Sequence, residues 1–398
     1  MKKQNKRNLF LKWARLFLIS LPAVCLLLVG GLAVSNLGMP RRSSAIERLS
    51  GADKARLAEF QHLRTTLGDS VWPGWGQADI PVILYNEEYA FLVEYPEPAD
   101  GWVKIPTGIQ RGGPWEVVPS DAFLGTVYYR QNLPDPEITP EAFTVVVGDR
   151  WVASLTTLEW FEIKMQQNIR NDLPELLRPI FPYRLFLRQL VDGIDQYISL
   201  IAHESFHALQ GVHAPEKLAA SESANIKLEN QYPWADTDFQ HDWQAELDLL
   251  TEALRSTNGA EVTDLVRQFL ALRAERRERA GLSSDLIAYE KQREWLEGLA
   301  RYGELELWRQ ASRGNYQPVP EVVNLPNFKS YAGYQIRWER ELDQIAMTAD
   351  DTGDGRFYYS GMAQAFLLDQ LFPNWKTRAF QEDVWLDDLL AEVVKRYE

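Results

Sequence analysis

Between Thr156 and Leu158 the hydrophobic pattern of this 398-residue chain changes period, and that change constrains the fold more than any other feature. Before it, residues 81–85, 89–95, 124–129, 143–147 and 151–155 are short runs of β-branched and aromatic residues. Asn86-Glu87-Glu88 and Gly148-Asp149-Arg150 supply turns between them. Such runs predict strands. After it, apolar residues recur at helical spacing almost to the end, with breaks at Pro174, Pro179, Pro182, Gly211, Pro233, Gly259, Gly281, Gly353 and Pro373. Strands first and helices after predict an α+β fold. The expected layout is a helix over 44–67 opening a β-rich lobe (44–156), then a mainly helical lobe (157–398).

The N-terminus has its own character. Residues 16–34 hold no charged side chain, and six basic residues precede them. Nineteen such positions are long enough to cross a bilayer. The basic flank predicts a cytoplasmic N-terminus (1–15), a transmembrane anchor (16–34) and an extracytoplasmic body, periplasmic or at the cell surface. Ala33-Val34-Ser35 offers a small-residue cleavage site, so a signal peptide and a secreted body are the alternative. Cys25 lies in this run and is the one cysteine, which excludes an internal disulfide. Residues 1–42 carry eight basic side chains and no acid, so of the net −14 the remainder carries −22. An acidic body of this kind excludes nucleic acid as a partner.

The chemistry is carried by Ile201-Ala202-His203-Glu204-Ser205-Phe206-His207, which ends an apolar helical pattern running from Pro182 through Leu187, Leu190, Ile194 and Ile198. Residues i and i+4 share a helix face, so His203 and His207 can reach one metal ion, and neutral imidazole suits zinc. Glu204 follows the first histidine and is placed to act as general base toward water on the metal. A catalytic zinc needs a third protein ligand. His213 has the spacing of H-E-x-x-H-x-x-G-x-x-H, although Gln210 stands where that pattern has glycine. Glu246 and Glu252, on a helix from about 242 to 254, are further candidates. So is Glu297, in Glu294-Trp295-Leu296-Glu297-Gly298-Leu299-Ala300-Arg301-Tyr302.

Together, H-E-x-x-H and the downstream W-L-E-G-L-A-x-Y resemble the gluzincin metallopeptidases, notably those of the aminopeptidase N type. The resemblance covers about twenty residues and implies a zincin-like architecture with His203, His207 and Glu297 on zinc and Glu204 as general base. It departs from the family in spacing, since ninety positions separate His207 from Glu297. It also lacks the upstream substrate-edge motif.

An oxyanion-stabilising group is also needed. No histidine follows His241, so a downstream group must be Tyr or Arg; Tyr359 is the first candidate and Tyr358 the second. Glu304, seven residues after Glu297, is placed to hydrogen-bond a ligating histidine. Asp350 to Gly355 resembles the start of a calcium loop but lacks its terminal Glu, and reads as a turn. The combined expectation is a membrane-anchored zinc metallopeptidase acting on a peptide or protein substrate. Its substrate would add to a strand edge such as 143–147. A noncatalytic envelope protein and a zinc hydrolase of a non-peptide amide are the alternatives.

Overall fold

The computed structural model describes residues 30–133, 145–190 and 193–396. The chain divides into two compact units. The described part of the first comprises residues 30–44 and 158–190. It contains α1 (residues 30–37), α3 (Leu158–Asp172) and α4 (Tyr183–Leu190). Within it, Asn36 Nδ2 donates to the carbonyls of Pro179 and Phe181 at 2.9 Å each. The Ser44 amide donates to Glu159 Oε2 at 2.9 Å.

The second unit comprises residues 45–157 and 193–398 and carries the sheet and most helices. It opens with α2 (Gly51–Val71), capped by the Ser50 hydroxyl, which accepts from the Asp53 amide. The strands are β1 (Val82–Tyr85), β2 (Tyr89–Val93), β3 (Trp102–Lys104), β4 (Gln110–Arg111), β5 (Glu116–Val117), β6 (Tyr129–Asn132), β7 (Val145–Val147) and β8 (Arg150–Thr156). Their order in the sheet is β4-β3-β7-β8-β1-β2-β6-β5. Pairing is antiparallel except for β1 with β8. Strand alternation sends Ile83, Tyr85, Ala90, Leu92, Val145, Val147 and Val152 into one apolar cluster with Trp102. Gly113 ties the two ends of the sheet together. Its amide donates to Gln131 Oε1 in β6 at 2.8 Å, and its carbonyl accepts from the Gly101 amide beside β3. The sheet therefore curls.

Helices follow: α5 (Ile194–His213), α6 (Pro215–Leu228), α7 (Thr237–Arg255), α8 (Gly259–Arg279), α9 (Ser284–Arg293), α10 (Leu299–Ser312), α11 (Pro320–Val323), α12 (Tyr334–Ile345), α13 (Gly355–Leu371), α14 (Lys376–Ala379) and α15 (Leu386–Arg396). A π-helical turn, Glu294–Gly298, joins α9 to α10. Helix α8 buries Arg273 and Arg276 among carboxylates of three other segments. Arg273 forks onto Glu294 with two bonds of 2.7 Å and donates to Glu246 of α7 at 3.0 Å. Arg276 donates to Glu246 at 2.5 Å and to Glu290 of α9 at 2.6 Å.

Several expectations need correction. Among the described residues no helix is long and apolar enough to cross a membrane. That overturns the transmembrane helix in the expected fold and the single-pass membrane placement built on it. Of the expected span, residues 30–34 belong to α1, which continues into Asn36; residues 16–29, like 1–15, lie outside the described residues. Strand β7 is paired on both sides, with β3 and β8, so it is no free edge for a substrate; residues 143–144 lie outside the described residues. The strand expected over 124–129 begins only at Tyr129. Leu124 and Gly125 have φ of 47° and 78°, and Phe123 and Thr126 close a tight turn around them. The helical pattern from Pro182 is also not one helix: α4 ends at Leu190 and α5 starts after Gly193, whose φ of 99° suits glycine.

Candidate metal centre

Helix α5 is held on both flanks and at its start. In its first turn, Asp195 accepts from the amides of Lys329 and Tyr331 at 2.8 and 2.7 Å. Farther along, the Tyr197 hydroxyl donates to the Thr156 carbonyl of β8 at 2.7 Å. A Cβ on Gly211 would lie 2.3 Å from the Trp151 ring of β8, and one on Gly303 of α10 would lie 2.6 Å from Phe206. The helix is therefore clamped between sheet and α10, and His203, Glu204 and His207 are all buried.

The π-helical turn brings the third group. Gly298 is set against Gly361 of α13 so closely that a Cβ on Gly298 would lie 2.4 Å from Gly361 Cα. Glycine here lets two backbones touch, as its place after Glu297 suggests. Gly298→Ala is expected to force the helices apart, at a cost of about 1–3 kcal/mol, within the range for overpacking a core. Urea unfolding checks this, and an unchanged midpoint would show that the crossing yields freely.

Three donor atoms converge as a result. His203 Nε2 and His207 Nε2 are 3.2 Å apart, and Glu297 Oε2 is 3.7 and 3.4 Å from them. These residues form a buried group able to hold a metal ion. Zinc with bonds near 2.0–2.1 Å in tetrahedral geometry separates its ligands by about 3.3 Å, which this triangle matches. Glu297 Oε2 has no hydrogen-bond partner, while Oε1 accepts from Arg293 at 2.7 Å. Burial would raise the Glu297 carboxyl, but Arg293 and the two histidines hold it well below its usual range. His203 Nδ1 faces Glu304 Oε2 at 3.6 Å. Burial disfavours a charge on His203, yet Glu297, Glu304 and Glu204 lift it to about 9. Glu304 is itself anchored by Ser199 at 2.9 Å and Arg301 at 2.6 Å. The residues present thus fit a zinc ion in donor set, geometry and support.

Glu204 is beside the triad, and its Oε2 has no partner. Burial raises its carboxyl to about 7, against the pull of His203 and His207. The Tyr358 ring stacks on His203 with centroids 5.7 Å apart. Burial and the nearby Glu297 carboxylate push its hydroxyl well above the ordinary value, so it stays a neutral donor at pH 7. Tyr359, the first candidate from sequence, is instead turned to Arg301, whose guanidinium is 6.0 Å from its ring. Adjacent helical residues point about 100° apart, so only one of the two can face the triad.

The other third-ligand candidates stand elsewhere. His213 is exposed and stacks on Phe380. Helix α5 continues through His213, which puts it about 15 Å along the axis from His203. Glu246 is consumed by Arg273 and Arg276, and Glu252 is exposed. The run Asp350–Gly355 forms the turn into α13, where Asp354 takes two bonds from Arg293 at 2.9 and 2.7 Å. Sequence reasoning missed Arg293, which bridges Glu297 and Asp354. Its place four residues before Glu297 on a helix was the available signal. No family model, curated protein or solved structure matches the chain.

Proposed function

We propose that this protein is a zinc-dependent metallopeptidase with a gluzincin-like ligand set of His203, His207 and Glu297. One observation carries the reading: three buried donors converge within 3.2–3.7 Å beside a buried carboxylate, Glu204, whose Oε2 has no partner. Zinc held there would polarise a scissile carbonyl and acidify water for attack. The remaining roles fall to the chain. Glu204 takes the proton of the attacking water and passes it to the leaving amine. Tyr358, neutral and beside His203, donates to the oxyanion that develops. Glu304 faces His203 Nδ1 at 3.6 Å, and Arg293 holds Glu297 Oε1 so that Oε2 faces the histidines.

The test is zinc quantification on the purified chain, paired with cleavage of a peptide library. Wild type is expected to hold one zinc and to cut peptides. Glu297→Gln is expected to weaken zinc binding by roughly 100-fold or more, since losing even a supporting partner costs 10–100-fold. His213→Ala is expected to change it little. A wild-type chain that binds no zinc would sink the reading. One that binds zinc but cuts no peptide would leave the centre and remove the peptidase.

A further inference from the structure

Gln210 was singled out in the sequence only because it stands where another zinc-peptidase pattern has glycine. In the fold it is fully buried and three residues beyond His207. Its Nε2 donates to the carbonyls of Trp295 at 2.9 Å and Leu296 at 3.1 Å. Both amide protons are thereby committed, which fixes the amide's orientation. Its Oε1 then faces His207 Nδ1 at 2.8 Å. That oxygen can only accept, so Nδ1 carries the proton and Nε2 keeps its lone pair for the triad.

The two carbonyls belong to the π-helical turn that bears Glu297. A π-turn displaces the i→i−4 ladder, and backbone acceptors inside it need other donors. We propose that Gln210 is the positioning residue that couples two of the three metal ligands. It sets the tautomer and ring orientation of His207 and, through its amide protons, the register of the turn that presents Glu297. This rests on the metal-centre reading and goes beyond it, because it assigns the assembly of the site to a side chain that touches no metal.

Two variants test the coupling. Gln210→Glu keeps an acceptor for His207 and loses both donors to the turn. Gln210→Leu loses both functions. Glu59→Gln is the control. It disturbs a different buried carboxylate on α2, which accepts from Tyr316, Tyr331 and the Val319 amide. The full chain is titrated with zinc alone against a chromophoric chelator. Cobalt(II) spectra report ligand geometry, and hydrogen exchange reports the amides of residues 297–302. Both Gln210 variants are expected to bind zinc about 10–100-fold more weakly, the range for groups that orient ligands. They should also show altered cobalt bands and faster exchange in the turn, while Glu59→Gln retains wild-type zinc affinity. If Gln210→Leu does not fold, Gln210→Glu carries the comparison. Wild-type affinity in Gln210→Glu would overturn the coupling. So would an equal loss in Glu59→Gln, since general destabilisation would then explain it. A wild type that binds no zinc would overturn the metal centre itself and this inference with it, a result distinguishable from the other two.

Discussion

Replacing Glu204 by Gln is expected to lower peptide hydrolysis by roughly 10²–10⁴-fold, the usual contribution of a positioned acid–base group, while zinc content stays at the wild-type level. The substitution is nearly isosteric, and Glu204 contacts the triad electrostatically without being one of its three donors. What it removes is a proton acceptor. Burial lifts the Glu204 carboxyl to about 7, and in the proposed reaction this group takes a proton from water and passes it to an amine. An amide can do neither. Initial rates on a peptide cleaved by wild type, with zinc measured on the same samples, check the expectation. Equal rates in the two forms would remove Glu204 from the chemistry. Loss of zinc together with activity would mean that the carboxylate supports the metal rather than the proton.

Arg276→Met is expected to destabilise the fold by about 3–5 kcal/mol, the range for leaving buried charges without their partner. Arg276 is 1% exposed, and its two carboxylate partners, Glu246 and Glu290, are both 0% exposed. Burial would raise the Glu290 carboxyl, but Arg276 and Arg277 hold it well below its ordinary value. A carboxyl depressed in the folded state contributes stability above its unfolded value and loses it as pH falls. Without Arg276 the Glu290 carboxyl loses the largest of the cationic influences that hold it down, keeps Arg277, and takes up its proton at a higher pH than in the wild type. The deficit of the variant should therefore be greatest near neutral pH and shrink on acidification toward pH 5. Urea unfolding at the two pH values measures both effects. Arg279→Met is the internal comparison: its partner is Asp242, and its side chain is 59% exposed. A surface pair of that kind is worth about 0–1 kcal/mol. Similar deficits for the two variants would mean that the buried cluster is not the keystone of the helical region.

Much of the fold was legible because period and burial agree. Val82–Tyr85, Tyr89–Val93 and Arg150–Thr156 fall where β-branched runs predicted strands. The two-residue strands β4 and β5 carry no pattern long enough to read. The site divides in the same way. The His203–His207 pair follows from helix geometry alone. That Glu297 reaches them does not, because Glu294, Glu297 and Glu304 look from sequence like one solvated helix face. All three are buried. Glu294 is paired by the distant Arg273, which no local pattern announces, while Arg293 and Arg301 pair with Glu297 and Glu304 from one turn away. The choice between Tyr358 and Tyr359 depends on the rotation of α13. The Gly298–Gly361 contact packs α13 closely against the π-helical turn, and sequence gives no angle for that packing.

The ends of the sheet have a consequence at the level of many molecules. A row of unpaired backbone groups on an outer strand is a template for another chain. Here the outermost strands, Gln110–Arg111 and Glu116–Val117, are two residues long and lead into each other through residues 112–115. An incoming chain would find few rungs to bind, beside a guanidinium and a carboxylate that both need water. Among the described residues, eight strands are thus assembled into one sheet whose rims offer few rungs to another copy.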